Sequence, residues 1–175
     1  MDNNYVFQYW EAIENGAVTV GKWIRTIYKI LVDGLKSGKW DFDGDKANKA
    51  INFIENFCHH SEGRNDLLKL ELWQKAIVSA IFGIMDKKTG YRQFREVFIV
   101  VARKNGKTLF AAAIAAYMTY IDGEYGAKVY FLAPKLDQAD LVYDAFYQIV
   151  HCAHHDDTVR SGIDLKVHIH VIAAF

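Results

Sequence analysis

The chain has 175 residues, of which 51% are hydrophobic, 14% are aromatic and 24% are charged. This composition is typical of a globular protein and excludes a disordered chain or a collagen-like repeat. Basic and acidic residues number 21 each, so the net charge of zero argues against a strongly basic nucleic-acid coat protein.

Four amphipathic patterns in the first half of the chain predict helices. In each, apolar residues recur at spacings of three and four, which gives the helix one apolar face. Asn15-Gly16 is expected to end the first helix, and Gly34 with the Ser37-Gly38 pair the second. A polar stretch at residues 59–65 reads as a turn. The predicted helices are Tyr5–Glu14, Val18–Leu35, Asp45–Phe57 and Leu70–Ile84.

The hydrophobic pattern changes after the fourth helix. Phe94–Ala102 is short and rich in β-branched residues, which predicts a buried strand. A helix at Lys107–Ile121, a second buried strand at Lys128–Ala133 and a helix at Leu136–Val150 are predicted to follow. A strand, a helix and a strand at this spacing predict a βαβ unit, and hence a parallel sheet. Apolar and polar residues alternate along much of Leu165–Ala173, which predicts a further strand.

The cysteine count and the apolar runs indicate a cellular compartment. Cys58 and Cys152 are too few for a disulfide framework, so we expect a reduced, cytosolic setting. The N-terminal segment carries early acidic residues and no continuous apolar core, which argues against a signal peptide. The longest apolar run, Leu109–Met118, is too short and too rich in alanine to span a bilayer. We therefore expect a soluble protein.

The segment with the clearest chemistry is Ala102–Thr108, which reads ARKNGKT and lies between the first predicted strand and its helix. Gly-Lys-Thr at such a junction is the core of a phosphate-binding loop. Gly106 would let the backbone approach the phosphates, Lys107 would neutralise the β- and γ-phosphates, and the Thr108 hydroxyl would bind Mg²⁺. The usual loop has another glycine where this chain has Val101. The alternative interpretation is a solvated turn.

With arginine and lysine in its early part, this loop resembles the deviant Walker A loop of tailed-bacteriophage terminase large subunits. These are ATP-driven motors that package DNA into proheads. Four further stretches resemble the family in the same order. They are the helical lead-in at residues 41–55, the pair His60 and Gly63, the adenine-side segment LELWQ at 70–74 with Phe82-Gly83, and Ala133-Pro134-Lys135 with Gln138-Ala139.

The resemblance implies an α/β fold. A helical N-terminal subdomain would occupy residues 1–66, and an incomplete P-loop NTPase-type parallel sheet would lie in a partial ATPase domain at residues 67–175. The stretches that resemble the family extend to about residue 150.

The resemblance also implies roles for single residues. Gln74 would hydrogen-bond the adenine edge, Trp73 would stack on the base, and Arg103 would act as an arginine finger in cis on the γ-phosphate. The alternatives are an exposed helix glutamine, a core tryptophan and a surface arginine. The nucleotide-binding set comprises Trp73, Gln74, Lys104, Asn105, Gly106, Lys107 and Thr108, with Lys107 and Arg103 as catalytic residues.

The implied cofactors are ATP and Mg²⁺. The implied partners are double-stranded phage DNA, a portal protein, a small terminase subunit and further copies in a homo-oligomeric ring. The setting would be the cytoplasm of a bacterial host, with no membrane. No apolar strand followed by Asp-Glu occurs after Thr108, and the family's nuclease domain would lie beyond residue 175. The chain is therefore expected to bind ATP without hydrolysing it. Two alternatives are a helicase-like P-loop ATPase and a non-catalytic prophage remnant.

Two other clusters suggest different chemistry. A run rich in metal-ligand residues could bind a metal, or its histidines could lie at a helix C-terminus, where the helix dipole favours them. A basic stretch could contact DNA phosphates, or it could be a solvated turn. The first cluster consists of His151, Cys152, His154, His155, Asp156 and Asp157, and the second of Lys87, Lys88, Arg92 and Arg95.

Overall fold

The computed structural model describes residues 4–60, 66–123, 127–154 and 169–173. The chain divides into two compact units, one formed by Met1–Asn52 with Leu70–Ile99 and the other by Phe53–Lys69 with Val100–Phe175. The helices are α1 (Tyr5–Glu14), α2 (Lys22–Lys36), α3 (Gly44–Phe57), α4 (Leu72–Gly83), α5 (Lys107–Tyr120) and α6 (Leu136–His154). The strands are β1 (Asp41–Phe42), β2 (Ile84–Met85), β3 (Val129–Ala133) and β4 (Ile169–Ala173).

All six predicted helices are present. Helix α1 has its predicted bounds. Its N-cap is Asn4, whose Oδ1 accepts hydrogen bonds from the N–H groups of Val6 and Phe7 at 3.1 and 3.4 Å. Such a cap satisfies donors that have no partner within the helix. No helix in the described ranges is long and apolar enough to cross a membrane.

The core of the first unit is apolar and partly aromatic. The rings of Tyr9 and Tyr28 meet edge to face with centroids 4.7 Å apart, and burial raises the pKa of both phenols. Partly buried apolar side chains, including Phe94, pack around this cluster. The buried members are Val6, Tyr9, Ile13, Tyr28, Leu31, Val32, Trp40, Ala76 and Ile84.

The role of Gly34 differs from the prediction. Helix α2 begins at Lys22, four residues later than predicted, and continues through Gly34 to Lys36. A Cβ at Gly34 would collide with the indole ring of Trp40. Glycine therefore serves here as a packing position for the tryptophan and does not end the helix. The helix ends instead at the predicted Ser37-Gly38 pair, with Ser37 as its C-cap.

A short antiparallel ladder in the first unit was not predicted. β1 pairs with β2, with Asp41 opposite Met85 and Phe42 opposite Ile84. Each strand has only two residues, so neither shows the alternating pattern by which strands are recognised in a sequence.

The second unit contains a parallel strand pair with a helix between its strands. β3 and β4 pair in parallel register from Val129–Ile169 to Ala133–Ala173, and α6 connects them in the chain. The ring of Phe131 on β3 lies 5.7 Å from that of Phe146 on α6. β3 was predicted to be buried, but only Phe131 is; Leu132 is 67% exposed. Residues 165–168 of the last predicted strand lie outside the described residues.

The predicted strand at Phe94–Ala102 is wrong. The structure assigns no strand there, and Phe98 is 93% exposed. A β-branched apolar run becomes a strand only when another strand supplies hydrogen bonds along its edge, and no described strand pairs with this segment. The predicted βαβ unit across α5 is therefore absent from the described residues, and the observed one runs through α6.

Candidate functional site

The loop before helix α5 has an unusual backbone. Lys104 and Gly106 both adopt left-handed conformations, with φ of 67° and 64°. Lys104 is the only non-glycine with positive φ among the described residues. Between them, the Nδ2 of Asn105 donates to the carbonyl oxygens of Ala102 and Arg103, each at 3.3 Å. The side chain of Asn105 thus ties the turn together.

Helix α5 begins with unsatisfied donors. Its N-cap residue, Gly106, has no side chain to cap the helix, and the first intrahelical bond runs from Phe110 N–H to the Gly106 carbonyl at 2.9 Å. The N–H groups of Lys107–Leu109 donate to no acceptor in the described residues. Free N–H groups and the positive end of the helix dipole make such a terminus attractive to an anion.

The charges around the loop have one sign. Arg103, Lys104 and Lys107 are exposed, and none forms an ion pair with a described residue. No acidic residue occurs between Glu96 and Asp122. The cations and the helix terminus together produce a positive potential that suits a polyanion.

The hydroxyl of Thr108 is available for a ligand. Further inside helices, the hydroxyls of Thr26 in α2 and of Thr119 near the end of α5 donate to the carbonyl four residues earlier, at 3.0 and 2.7 Å. Thr108, in the first turn of α5, makes no hydrogen bond with the described residues. An unengaged hydroxyl next to Lys107 is what a magnesium ligand in a phosphate loop requires.

Gln74 lies in the first unit, near the start of helix α4. It is buried, with 8% of its surface exposed, so it is not the exposed helix glutamine of the alternative interpretation. Its Oε1 accepts from the Glu71 N–H at 2.9 Å, and the Glu71 carboxylate accepts from the Gln74 N–H, which forms a capping box. The Nε2 group donates to no described acceptor, so its N–H groups are available to a ligand.

Trp73, next to Gln74, is half-buried and packs against the core of the first unit. This position is consistent with the alternative interpretation of a core residue. The stacking role stays a prediction.

The two other clusters are only partly described. Of the residues in the predicted metal-binding run, His155, Asp156 and Asp157 lie outside the described residues, and no group of three metal-ligating side chains occurs within them. In the basic stretch, Lys87 lies 3.5 Å from the Asp41 carboxylate, and the Arg92 guanidinium stacks over the Phe82 ring at 5.2 Å. DNA contact by this stretch stays a prediction.

The sequence analysis did not predict the backbone conformation of the loop or the hydrogen bonds across it. The left-handed conformation of Lys104 has no signal in the residue type, because lysine rarely adopts it. Asn105 did carry a signal, since asparagine side chains bond to nearby backbone in turns. Its role as the tie across the loop could therefore have been inferred.

Comparisons with known proteins give one family and one similar structure. The family model described as "Terminase large subunit, ATPase domain" matches residues 72–173. The crystal structure of the HK97 bacteriophage large terminase is similar, with a TM-score of 0.58 and 22% sequence identity. The match covers 74% of this chain and 27% of that one, so the chain spans about a quarter of the terminase's length. No curated protein matches. The likeness to the HK97 structure shows a shared mixed helix and strand fold.

Proposed function

Because the chain belongs to the family of terminase large subunit ATPase domains, we propose that the loop at Arg103–Thr108 binds the phosphates of ATP. The single observation that supports this most strongly is the start of helix α5, where three N–H groups have no described acceptor. The left-handed turns at Lys104 and Gly106 shape the loop just before these donors. Such an arrangement binds phosphate through backbone groups, and the side chains of the loop add to this binding.

The side chains of the loop then have distinct roles. Lys107 places an ammonium on the β- and γ-phosphates, and Arg103 stabilises the charge that develops on the γ-phosphate. Thr108 provides a hydroxyl ligand for Mg²⁺, and the bound ion neutralises phosphate charge. The exposure of Arg103 and Lys107, and the lack of ion pairs with described residues, support these roles because neither cation must leave a partner to meet the nucleotide.

For the base, we propose that Gln74 donates from Nε2 to an acceptor on adenine. Its Oε1 is held by the Glu71 N–H, which fixes the rotation of the amide and so defines where Nε2 points. Trp73 stacks on the base. The burial of Gln74 supports its role, since a fixed amide loses less conformational entropy on binding than a mobile one.

At the level of the whole protein, we propose an ATP-driven motor that packages double-stranded phage DNA in the bacterial cytoplasm. Its partners would be the portal protein, the small terminase subunit and further copies of itself in a ring. Residues 1–66 would form a helical subdomain, and residues 67–175 would contribute to a P-loop sheet. The parallel pair β3 and β4 supports such a sheet, because it has the strand orientation that P-loop domains use.

We further propose that these 175 residues bind ATP without turnover. Hydrolysis needs a carboxylate that holds the metal and another that orients water, usually at the end of an apolar strand. Among the described residues after Thr108, no strand is followed by Asp-Glu. A helicase-like ATPase remains the alternative among enzymes, and a non-catalytic prophage remnant the alternative from another class.

Two assays on one sample test this proposal. Equilibrium dialysis with Mg²⁺ should show that ATP and ADP bind at least tenfold more tightly than AMP, because the loop recognises the β-phosphate. A phosphate-release assay should give no signal above the Lys107→Ala background. Equal affinity for AMP would contradict phosphate recognition by the loop, and ATP-dependent phosphate release would contradict binding without turnover.

A further inference from the structure

The sequence contains two Asn-Gly pairs, Asn15-Gly16 and Asn105-Gly106. In such a pair the backbone nitrogen of the glycine can attack the side-chain carbon Cγ of the asparagine, because glycine has no Cβ to obstruct the approach. The nitrogen loses its proton to solvent and forms a bond to Cγ. The Cγ–Nδ2 bond breaks, and Nδ2 takes up a proton and leaves as ammonia. Water then opens the resulting succinimide ring at either carbonyl, which gives aspartate or isoaspartate.

The structure leaves Asn105-Gly106 open to this reaction. Both residues are exposed, and a Cβ placed at Gly106 would meet no atom within 4 Å, so the succinimide ring has room to form. The Gly106 N–H donates to no acceptor in the described residues, so the attacking nitrogen need not give up a hydrogen bond. The leaving group, Nδ2 of Asn105, donates to the carbonyl oxygens of Ala102 and Arg103 at 3.3 Å. These acceptors stabilise the charge that Nδ2 gains as it departs.

The Asn15-Gly16 pair meets the same steric conditions, so it serves as an internal reference. Both residues are exposed, a Cβ at Gly16 would also meet nothing within 4 Å, and the Gly16 N–H donates to no described acceptor. The side chain of Asn15 is likewise held in a turn, since its Oδ1 accepts from the Ala17 N–H at 3.0 Å. The two pairs therefore differ mainly in the charges around them.

The two pairs lie at opposite ends of their helices. Asn15 is the C-cap of α1 and follows Glu14, so it lies at the negative end of that helix dipole. Asn105 precedes Gly106, the N-cap of α5, and so lies at a positive end. The glycine nitrogen becomes negative when it loses its proton, and so does the adduct that it forms with Cγ. Positive surroundings stabilise this charge, whereas negative surroundings oppose it.

Side chains strengthen the difference between the two pairs. Arg103, Lys104 and Lys107 lie within two residues of Asn105, are exposed and form no ion pair with a described residue. Their charge is therefore available to the reacting groups. It also stabilises the carboxylate of the product, which lies beside three cations and a helix N-terminus.

From these observations we propose that Asn105-Gly106 is a self-modification site, at which Asn105 converts to aspartate and isoaspartate several-fold faster than Asn15 does. Either product adds a carboxylate to the loop. Isoaspartate also inserts its side-chain carbon into the backbone and so displaces the N–H groups at the start of α5. This consequence rests on the proposed phosphate-binding role of the loop: as the protein ages, its affinity for nucleotide declines.

Ageing the full chain in mildly alkaline buffer tests the chemistry. Samples taken over time are digested under acidic conditions, which suppress further reaction. Peptide mass spectrometry then gives the fractions of asparagine, aspartate and isoaspartate at both sites in the same sample. Conversion of Asn105 should be at least about fivefold faster than that of Asn15, with isoaspartate among its products. Absence of isoaspartate at Asn105, or equal rates at the two sites, would overturn the proposal.

Charge substitutions show whether the surroundings set the rate. Arg103→Glu should slow the conversion of Asn105 and leave that of Asn15 unchanged, whereas Glu14→Lys should accelerate Asn15 alone. Lys128→Glu is the matched control, because it changes the charge as Arg103→Glu does but replaces an exposed lysine that follows α5 in the chain. It should leave both rates unchanged. If Arg103→Glu and Lys128→Glu convert Asn105 at the same rate, charge does not control the site and the proposal fails.

Nucleotide binding by the aged protein separates this proposal from the proposed function. Ion exchange resolves the modified chain, because either product carries one more negative charge than asparagine. Calorimetry should show that the unmodified fraction binds Mg·ATP and that the fraction modified at Asn105 binds it several-fold more weakly. Modification without binding by the unmodified fraction would contradict only the proposed function. An intact Asn105 in a chain that binds Mg·ATP would overturn only the modification, and equal affinities of the two fractions would overturn its effect on the loop.

Discussion

Lys104 and Gly106 both adopt left-handed backbone conformations, and only Asn105 lies between them. Glycine occupies such a conformation without cost, whereas lysine does so at a cost of roughly 1 kcal/mol. The loop therefore stores strain at the residue that precedes its Asn-Gly-Lys-Thr segment. Strained residues of this kind cluster at ligand-binding sites, where the bound conformation is prepared in advance.

The strain at Lys104 gives the first prediction. Lys104→Gly should be more stable than Lys104→Ala by about 1 kcal/mol, because both remove the same charge and only glycine relieves the left-handed conformation. Denaturant unfolding followed by circular dichroism gives the two free energies of unfolding. Equal stabilities would show that the left-handed turn is not maintained in solution.

Asn105 is predicted to act through loop geometry. Asn105→Ala removes the two hydrogen bonds to the carbonyls of Ala102 and Arg103, and because the residue is exposed it should change the free energy of unfolding by less than ~0.5 kcal/mol. ATP affinity should fall several-fold, because the loop must then be ordered on binding. Asn105→Asp should bind ATP more weakly still, since it also adds a negative charge near the phosphates. Unchanged affinity in both variants would contradict the role of this side chain.

The two ends of the Gln74 amide can be tested separately. Gln74→Glu keeps an oxygen for the Glu71 N–H but loses the Nε2 donors, whereas Gln74→Ala loses the capping box. The alanine variant should be destabilised by about 1 kcal/mol and the glutamate variant by clearly less. Both variants should bind ATP more weakly, since neither can donate to adenine. If Gln74→Glu binds ATP like the unmodified chain, the amide only caps the helix.

Much of the fold was predictable from the sequence, and the exceptions have physical causes. Helix α1 and the start of α5 were recognised because their patterns and end residues lie close together in the chain. The segment Phe94–Ala102 was misjudged because a strand depends on a partner that its own residues do not reveal. Gly34 was misread because its reason, the indole of Trp40, comes from packing and not from the helix itself.

In the candidate site too, some features follow from the local sequence and others depend on packing. Gly106, Lys107 and Thr108 could be named from spacing alone, because phosphate loops are built from consecutive residues. The burial and capping contact of Gln74 could not, since they depend on how α4 packs within the first unit. The left-handed turn at Lys104 required a structure, because side-chain type alone does not predict it.

Cys58 gives a prediction about reactivity and pH. Burial raises the pKa of its thiol from 9.0 to about 12, so the folded protein should react with a thiol reagent far more slowly than the unfolded chain at pH 8. The stabilisation from keeping this thiol protonated is present below pH 9 and is lost as pH rises toward 12, because only the unfolded chain ionises there. Cys58→Ala should reduce this alkaline loss of stability. Rapid labelling of Cys58 in folded protein would contradict its burial.

The most direct test of the phosphate site is isothermal titration calorimetry of the chain with Mg·ATP. The account predicts saturable binding with one site per chain, weakened at least tenfold by Lys107→Ala, which corresponds to about 1.4 kcal/mol. Lys128→Ala removes an exposed lysine outside the loop and should leave the affinity unchanged. Absence of binding by a folded sample, or equal loss in both variants, would contradict the assignment of Arg103–Thr108 as the phosphate-binding loop.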